Sequence, residues 1–404
     1  MPTKKLPATR VTPLRDTVRD MRLSVLSNIA EIDASAWNGV AGTRYPFLSH
    51  EFLLAAEQSG SVSAAEGWQP RHLVLHDADG SLRAAMPLYE KTHSWGEFVF
   101  DWAWANAYSR AGLDYYPKLV SAVAFTPATS FRLLRRDPGD TEAAAALIQA
   151  ALELCRDLEC SSLHVQFPTE DEIPLLEAAG LIVRKDCQFH WHNRSYADFD
   201  EFLAQFTSAK RKKVRRDRRH VAEAGIRFRR LSGSDLDDER WNTIYELISR
   251  TFIERGSLPY FRREFFTRLS QHLPQNILVI QAEDNGHAVA AAVFFVAPDT
   301  LYGRYWGANG DYNALHFETC YYQGIDYCIE HGIQTFEPGT QGEHKISRGF
   351  TPSATWSCHW LAHPQFFSAV DAYLEEEGQH VTRYMHAVDQ HSPYRNSGGK
   401  KHDD

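Results

Sequence analysis

The sequence predicts a mixed α/β protein built from two similar halves. Strand-like and helix-like segments alternate along it, the pattern of sheets covered by helices. Its 404 residues suit two or three domains of ~100–200 residues each. There is also an internal echo. Trp104-Ala-Asn106-Ala-Tyr108 is followed by Tyr115-Tyr116, and Trp306-Gly-Ala-Asn309-Gly-Asp-Tyr312 by Tyr321-Tyr322. The shared order of hairpin, aromatic segment and Tyr-Tyr helix start reads as a duplicated unit.

In the first half, Arg22–Leu26 alternates as a strand. Asp33 caps a helix running through Trp37, and Ser49 caps a second over His50–Ser59. Arg71–His76 and Leu82–Tyr89, split by Asp77-Ala-Asp79-Gly80, form a hairpin. Thr141–Leu158 is an Ala- and Leu-rich helix, Ser162–Phe167 a strand, and Ile173–Ala179 a short helix stopped at Gly180. A strand then begins at Phe189–Trp191. The second half opens with Phe199–Phe206 and a basic helix over 208–224. Helices over Trp241–Ile253 and Arg262–Leu269 follow. A hairpin joins Ile277–Ala282 to Ala288–Val296 around Asp284-Asn285-Gly286. Next come a strand over Thr300–Trp306, a helix over His316–His331 and a strand over Thr335–Glu337. The domains are therefore set at 21–192 and 193–385. Segments 1–20 and 386–404 lack periodicity and read as disordered tails.

Composition narrows the function. A net charge of −9 excludes a protein that is basic overall, the usual electrostatic footprint of nucleic-acid binders, though a local basic patch is compatible with it. The six cysteines form no CxxC pair and no signal peptide is apparent, so a reduced, cytoplasmic protein is expected. The longest apolar run, Ala288–Ala297, is short of the ~20 residues that a membrane helix needs. Neither a P-loop, a dinucleotide fingerprint nor a G-x-S-x-G elbow occurs.

The densest chemistry lies in Glu337-Pro-Gly-Thr-Gln-Gly-Glu-His-Lys-Ile-Ser-Arg-Gly-Phe350. Glu343, His344, Lys345 and Arg348 supply a carboxylate, an imidazole, an ammonium and a guanidinium within six residues, on a loop shaped by glycines. General acid–base chemistry needs such groups, while a solvated turn would carry the same residues. The loop is expected to bury little apolar area. The helix before it starts with His316-Phe-Glu318, where Glu318 suits the helix dipole and has a chemical role only if it faces the loop.

The run Lys210–His220 carries eight Lys or Arg in eleven residues. Lys210, Arg211, Lys212, Arg215 and Arg219 are candidate phosphate contacts, because cations on every face cannot all pair with one acidic neighbour. A solvated charged helix is the plain alternative. Tyr108, Arg110, Tyr116 and Lys118, among Trp102 and Trp104, suggest a ligand groove in the first half or the packed edge of a core. Cys187, His190 and His192 lack a second ligand cluster, so no metal site is assigned.

Several strings resemble a bacterial family of predicted N-acyltransferases described as FemAB-like, or as peptidoglycan biosynthesis/recognition proteins. They include Pro46-Phe-Leu-Ser-His50, Tyr115-Tyr-Pro-Lys-Leu119, Leu301-Tyr-Gly-Arg-Tyr-Trp-Gly307, Leu315-His-Phe-Glu318 and Gln341-Gly-Glu-His-Lys-Ile346. The resemblance spans about residues 22–380. It implies two tandem GNAT-like α/β domains, and it makes Arg304, Tyr305 and Trp306 candidates through the matching string. The basic helix ending at Gly225-Ile226 resembles a stretch of Fem-type aminoacyltransferases, which carry an amino acid from aminoacyl-tRNA to a cell-wall precursor. Those enzymes have Phe-Lys where this chain has His344-Lys345. The acetyl-coenzyme A cradle [QR]-x-x-G-x-[GA] is not visible in either half.

Acyl or aminoacyl transfer to a small-molecule or peptide amine is thus expected in a cleft between the halves. Glu343 or His344 would act as base, and Lys345, Tyr305 or a backbone N–H would hold the oxyanion. Arg304, Trp306, Arg348, Tyr108, Arg110, Tyr116 and Lys118 would bind substrate. The donor is open between aminoacyl-tRNA, with tRNA as partner, and acyl-CoA; no resident cofactor is assigned. A non-catalytic recognition module and an acetyl-CoA-dependent N-acetyltransferase are the alternatives.

Overall fold

The computed structural model describes residues 21–340 and 342–395; the expected tail 1–20 and residues 396–404 lie outside the described residues. The first-half strands are β1 (Arg22–Leu26), β2 (Trp68–Pro70), β3 (His72–His76), β4 (Leu82–Met86), β5 (Tyr89–Lys91), β6 (Lys118–Ser121), β7 (Leu134–Arg135), β8 (Ser162–Gln166) and β9 (Ile182–His192). The second half adds β10 (Arg227–Ser232), β11 (Ile277–Asp284), β12 (His287–Val296), β13 (Thr300–Ala308), β14 (Thr335–Glu337) and β15 (Thr351–Leu361).

These strands make a four-stranded sheet, ordered β1-β3-β4-β7, and an eleven-stranded sheet, ordered β10-β11-β12-β13-β14-β9-β15-β8-β6-β5-β2. Each half contains antiparallel strands followed by one parallel pair, β6 with β8 and β13 with β14. A helix makes each parallel crossover, as parallel pairing requires. These are α4 (Thr141–Asp157) and the helix Gln323–His331, where α1 (Ala34–Ala41), α2 (His50–Gln58) and α3 (Trp102–Arg110) precede α4. The chain is therefore a tandem of two GNAT-like mixed units.

The boundary at 192/193 is not a clean cut. β9, the last strand of the first half, pairs with β14 of the second. β15, the last strand of the second half, pairs with β8 of the first. β9 and β15 also pair with each other over nine residue positions, so the two halves share one sheet. The apolar core crosses as well. Trp37, Phe47 and Phe52, from the α1–α2 region, lie in one cluster with Trp241, Phe265 and Phe295.

The structure corrects three expectations. The Trp and Tyr-Tyr motifs of the echo do not occupy equivalent places: Trp104 is on α3 and Trp306 on β13, while Tyr115-Tyr116 precede a strand and Tyr321-Tyr322 lie in a helical turn. The duplication is carried by strand order instead. The strand expected to begin at Phe189 starts at Ile182. Residues 386–395 of the expected C-terminal tail are structured. A helix runs over Pro364–Asp389, and the Tyr394 hydroxyl donates to the Gly349 carbonyl at 2.8 Å.

Two glycines are required by geometry. A Cβ on Gly307 would lie 1.8 Å from the Leu247 carbonyl oxygen, so only glycine lets the helix Asp238–Ile253 lie this close on β13. Gly349 ends the charged turn at φ +96, where a Cβ would meet the Phe202 and Phe206 rings at 2.8 and 2.9 Å.

Candidate active site

β13 and β14 run in register only from Thr300–Thr335 to Tyr302–Glu337. On the other side of β13, Phe294 pairs with Gly303 and Val293 with Tyr305, so Arg304 is the extra residue of a β-bulge. Ladder pairing on both sides therefore breaks at the same place. A cleft of about 610 Å³ opens there, between the halves. Gly303, Arg304, Tyr305, Pro338 and Gly339 form its floor, and Ser94, Trp95, Phe98, Phe100, Trp102 and Phe125 of the first half form the facing wall.

The helix before the charged loop contributes through an irregularity. Leu315–Phe317 starts as α-helix, Glu318–Tyr322 forms a π-turn, and α-helix resumes over Gln323–His331. The Gln323 backbone N–H closes the wider turn on the Glu318 carbonyl, five residues back, and Gln323 Nε2 also donates to Glu318 Oε1 at 2.8 Å. The turn also brings Tyr321 and His316 to the cleft wall. The Tyr321 hydroxyl and His344 Nε2 share a hydrogen bond of 2.8 Å. His316 stacks edge-on against Tyr321 at 5.4 Å and lies 6.1 Å from the His344 ring.

The charged loop forms 3₁₀ turns over Glu343–Arg348 and is not a solvated turn. Lys345, Ile346 and Arg348 are buried, which overturns the expectation that this segment buries little. Lys345 Nζ donates to the Gly339 carbonyl at 2.6 Å. Burial, with the Arg304 charge second, pulls its ammonium down to about 7. Burial also lowers His316 to about 4, and burial with the Lys345 and Arg348 charges lowers His344. Both imidazoles are therefore held neutral. Arg304 donates to the Gly303 carbonyl at 2.9 Å and lies 3.6 Å from Glu337, whose carboxyl burial raises to about 7 despite that cation. Glu337, missed in the sequence, was hidden because it reads as an ordinary strand end.

Tyr305, Arg304, His316, His344 and Lys345 thus meet in one cleft. The other candidates do not join them. Glu343 is exposed on the far side and accepts from the Tyr384 hydroxyl at 2.8 Å. Glu318 faces Arg218 at 3.1 Å, away from the cleft. Arg348 is stacked 3.3 Å over Phe317 and reaches Asp217 at 3.3 Å, so it ties the loop to the basic helix. Trp306 packs on the outer side of His316 and lines a separate pocket.

The first-half groove is closed. Tyr108 is buried against Phe366 of the C-terminal helix, and Arg110 is exposed at the end of α3. Lys118 is fully buried with Glu97 at 2.9 Å and Asp101. It also donates to Ser94 Oγ at 2.8 Å, and Ser94 in turn meets the Tyr116 hydroxyl at 2.9 Å. Only Ser94 of this group reaches the cleft.

The basic helix, Ser208–Glu223, places Val214, Asp217 and Val221 inward. Asp217 receives the Tyr322 hydroxyl at 3.0 Å, which seats the helix behind the π-turn. Lys212, Arg215 and Arg219 are exposed; Arg215 pairs with Asp200 at 2.9 Å and Arg219 with Glu223 at 3.7 Å. Lys210 and Arg211 are half-buried at its start. Among the described residues no group of three His, Cys, Asp or Glu is arranged to hold a metal. No helix among them is long and apolar enough to cross a membrane.

Residues 28–396 match the FemAB-like family, described as peptidoglycan biosynthesis/recognition. The chain belongs to the FemAB-like family. FemX has a similar fold at 13% identity, with a TM-score of 0.53, covering 87% of this chain and 100% of that one. So does the C-terminal domain of a protein assigned as a lysylphosphatidylglycerol synthetase from Agrobacterium fabrum. The identity there is 10% and the TM-score 0.54, with 86% of this chain and 97% of that one covered. No curated protein sequence matches. At these identities the likeness is one of fold.

Proposed function

We propose that this FemAB-like protein is an acyl- or aminoacyltransferase that moves its group to an amine in the cleft between the halves. One observation carries the reading. A buried lysine, a neutral imidazole and a tyrosine hydroxyl converge where β13 and β14 separate. The amine must lose a proton. His344 is neutral near pH 7, and with Nε2–H given to the Tyr321 oxygen its Nδ1 is left as the acceptor. Glu343, facing outward, is set aside as base. The tetrahedral oxyanion needs a donor in a site shielded from water. Lys345, fixed by Gly339, supplies it when protonated, and the charge that develops favours that protonation. Arg304 and Tyr305 hold the floor in shape.

Aminoacyl transfer, with aminoacyl-tRNA as donor, is supported by the resemblance of the basic helix and charged loop to Fem-type aminoacyltransferases. The exposed cations of the basic helix fit a polyanionic donor. The family description points to a cell-wall precursor as acceptor. The test is turnover in His344→Ala and Lys345→Ala, assayed with acyl-CoA and aminoacyl-tRNA donors against amine acceptors. Losses of ~10²–10⁴ for His344→Ala and ~10²–10³ for Lys345→Ala, in folded protein, are expected. Wild-type rates in both would remove the assignment.

A further inference from the structure

The wall that faces the catalytic groups is aromatic and open. Trp95, Phe100 and Trp102 line the cleft and are 64%, 54% and 38% exposed. Trp95 and Trp102 meet edge-to-face at 5.2 Å. Phe252, Arg255 and Tyr260 complete the rim of the cleft, and Tyr260 packs edge-on to Phe98 at 5.7 Å and stacks on Phe125 at 5.2 Å. Exposed apolar side chains scattered singly need no explanation, but a patch gathered at one cleft mouth does.

The charges in the cleft have one sign. Its described lining residues include Arg255, Arg304 and Lys345 and no carboxylate, in a protein of net charge −9. Arg304 is offset by Glu337 behind it, so Arg255 at the lip and Lys345 inside set the field. A purely apolar ligand would leave these cations without a counter-charge. A small hydrophilic anion would leave the aromatic wall in water. We infer that one partner in the reaction is an amphipathic anion: a carboxylate or phosphate head drawn to Arg255 and Lys345, with a hydrocarbon chain lying along Trp95, Phe100 and Trp102. The inference rests on the proposal that this cleft is the reaction site, and it names the class of one substrate.

Isothermal titration with n-alkanoates and n-alkyl phosphates of four to twelve carbons, below their micelle concentrations, tests it on the full chain. Affinity should rise about threefold to fourfold per added methylene until the chain leaves the cleft. n-Alkylammonium ions of equal length should bind at least tenfold more weakly. The two anion series distinguish a carboxylate head from a phosphate head. In Trp95→Ala/Phe100→Ala, both side chains being exposed, the chain-length slope should flatten. In Arg255→Gln every anion should weaken by a common factor. A flat series in the wild type, equal binding of the ammonium series, a slope unchanged in the double variant, or unchanged anion affinity in Arg255→Gln would each overturn it. These readouts need no turnover. Loss of chain-length dependence with turnover still sensitive to Lys345 would defeat this inference alone. Binding as expected with turnover insensitive to Lys345 and His344 would defeat the proposed function instead.

Discussion

At the residue scale, burial pushes both Lys345 and His344 toward their neutral forms. Burial and Arg304 bring Lys345 down to about 7, so its cationic form is lost as pH rises through that value. His344 starts from an ordinary value of 6.5 and is lowered, so it is neutral and able to accept a proton above that lowered value. The two groups predict a bell in kcat/KM, with an acid limb below 6.5 and an alkaline limb near 7. Lys345→Arg keeps the positive charge at every working pH. It should retain part of the rate and lose the alkaline limb. An alkaline limb that stays near 7 in Lys345→Arg would belong to another group, and Lys345 would lose its role.

At the element scale, the basic helix has two faces with separate tasks. Inward, Asp217 joins Arg348 of the charged turn to Tyr322 of the π-turn. Removing one partner of a buried pair leaves the other unpaired, so Asp217→Ala should cost about 3 kcal/mol in denaturant unfolding. A loss under ~0.5 kcal/mol would show that the helix is not what holds the turn. Outward, Lys212, Arg215 and Arg219 are exposed, and their triple change to Glu should leave the fold intact. It should weaken binding of a polyanionic donor and flatten its salt dependence. An unchanged salt slope would make this face merely solvated.

The same scale explains what could be read from the sequence. Asp33 and Ser49 were legible as caps because their bonds, to Ala36 and Phe52, are local. The charged loop was legible as a place where chemistry concentrates. The burial of Lys345 and Arg348 was not, because the π-turn and the basic helix that cover them come from other parts of the chain. Tyr321 is not legible as a cleft residue because α-helical spacing does not describe a π-turn. Glu318 and Glu343 were candidates by proximity in sequence, and side-chain direction separates them from the cleft.

At the scale of the whole molecule, the exchanged strands make each half incomplete. β9 supplies the neighbour of β14 and β15 that of β8, so neither half alone can satisfy its sheet edges. The motif echo pointed to duplication, but strand exchange is a long-range pairing that no local pattern records. Fragments 21–192 and 193–395 should each be insoluble when expressed alone and recover solubility and cleft binding when expressed together. A soluble 193–395 fragment with full activity would contradict the shared sheet as a requirement for function.

Amide-bond formation in this cleft is read directly by mass spectrometry of the products. Purified protein would be incubated with acyl-CoA or aminoacyl-tRNA and a pool of amines including cell-wall precursors. A new acylated amine is expected with the wild type, reduced by ~10²–10⁴ in His344→Ala. No acylated product from any donor, or equal product from wild type, His344→Ala and Lys345→Ala, would contradict it.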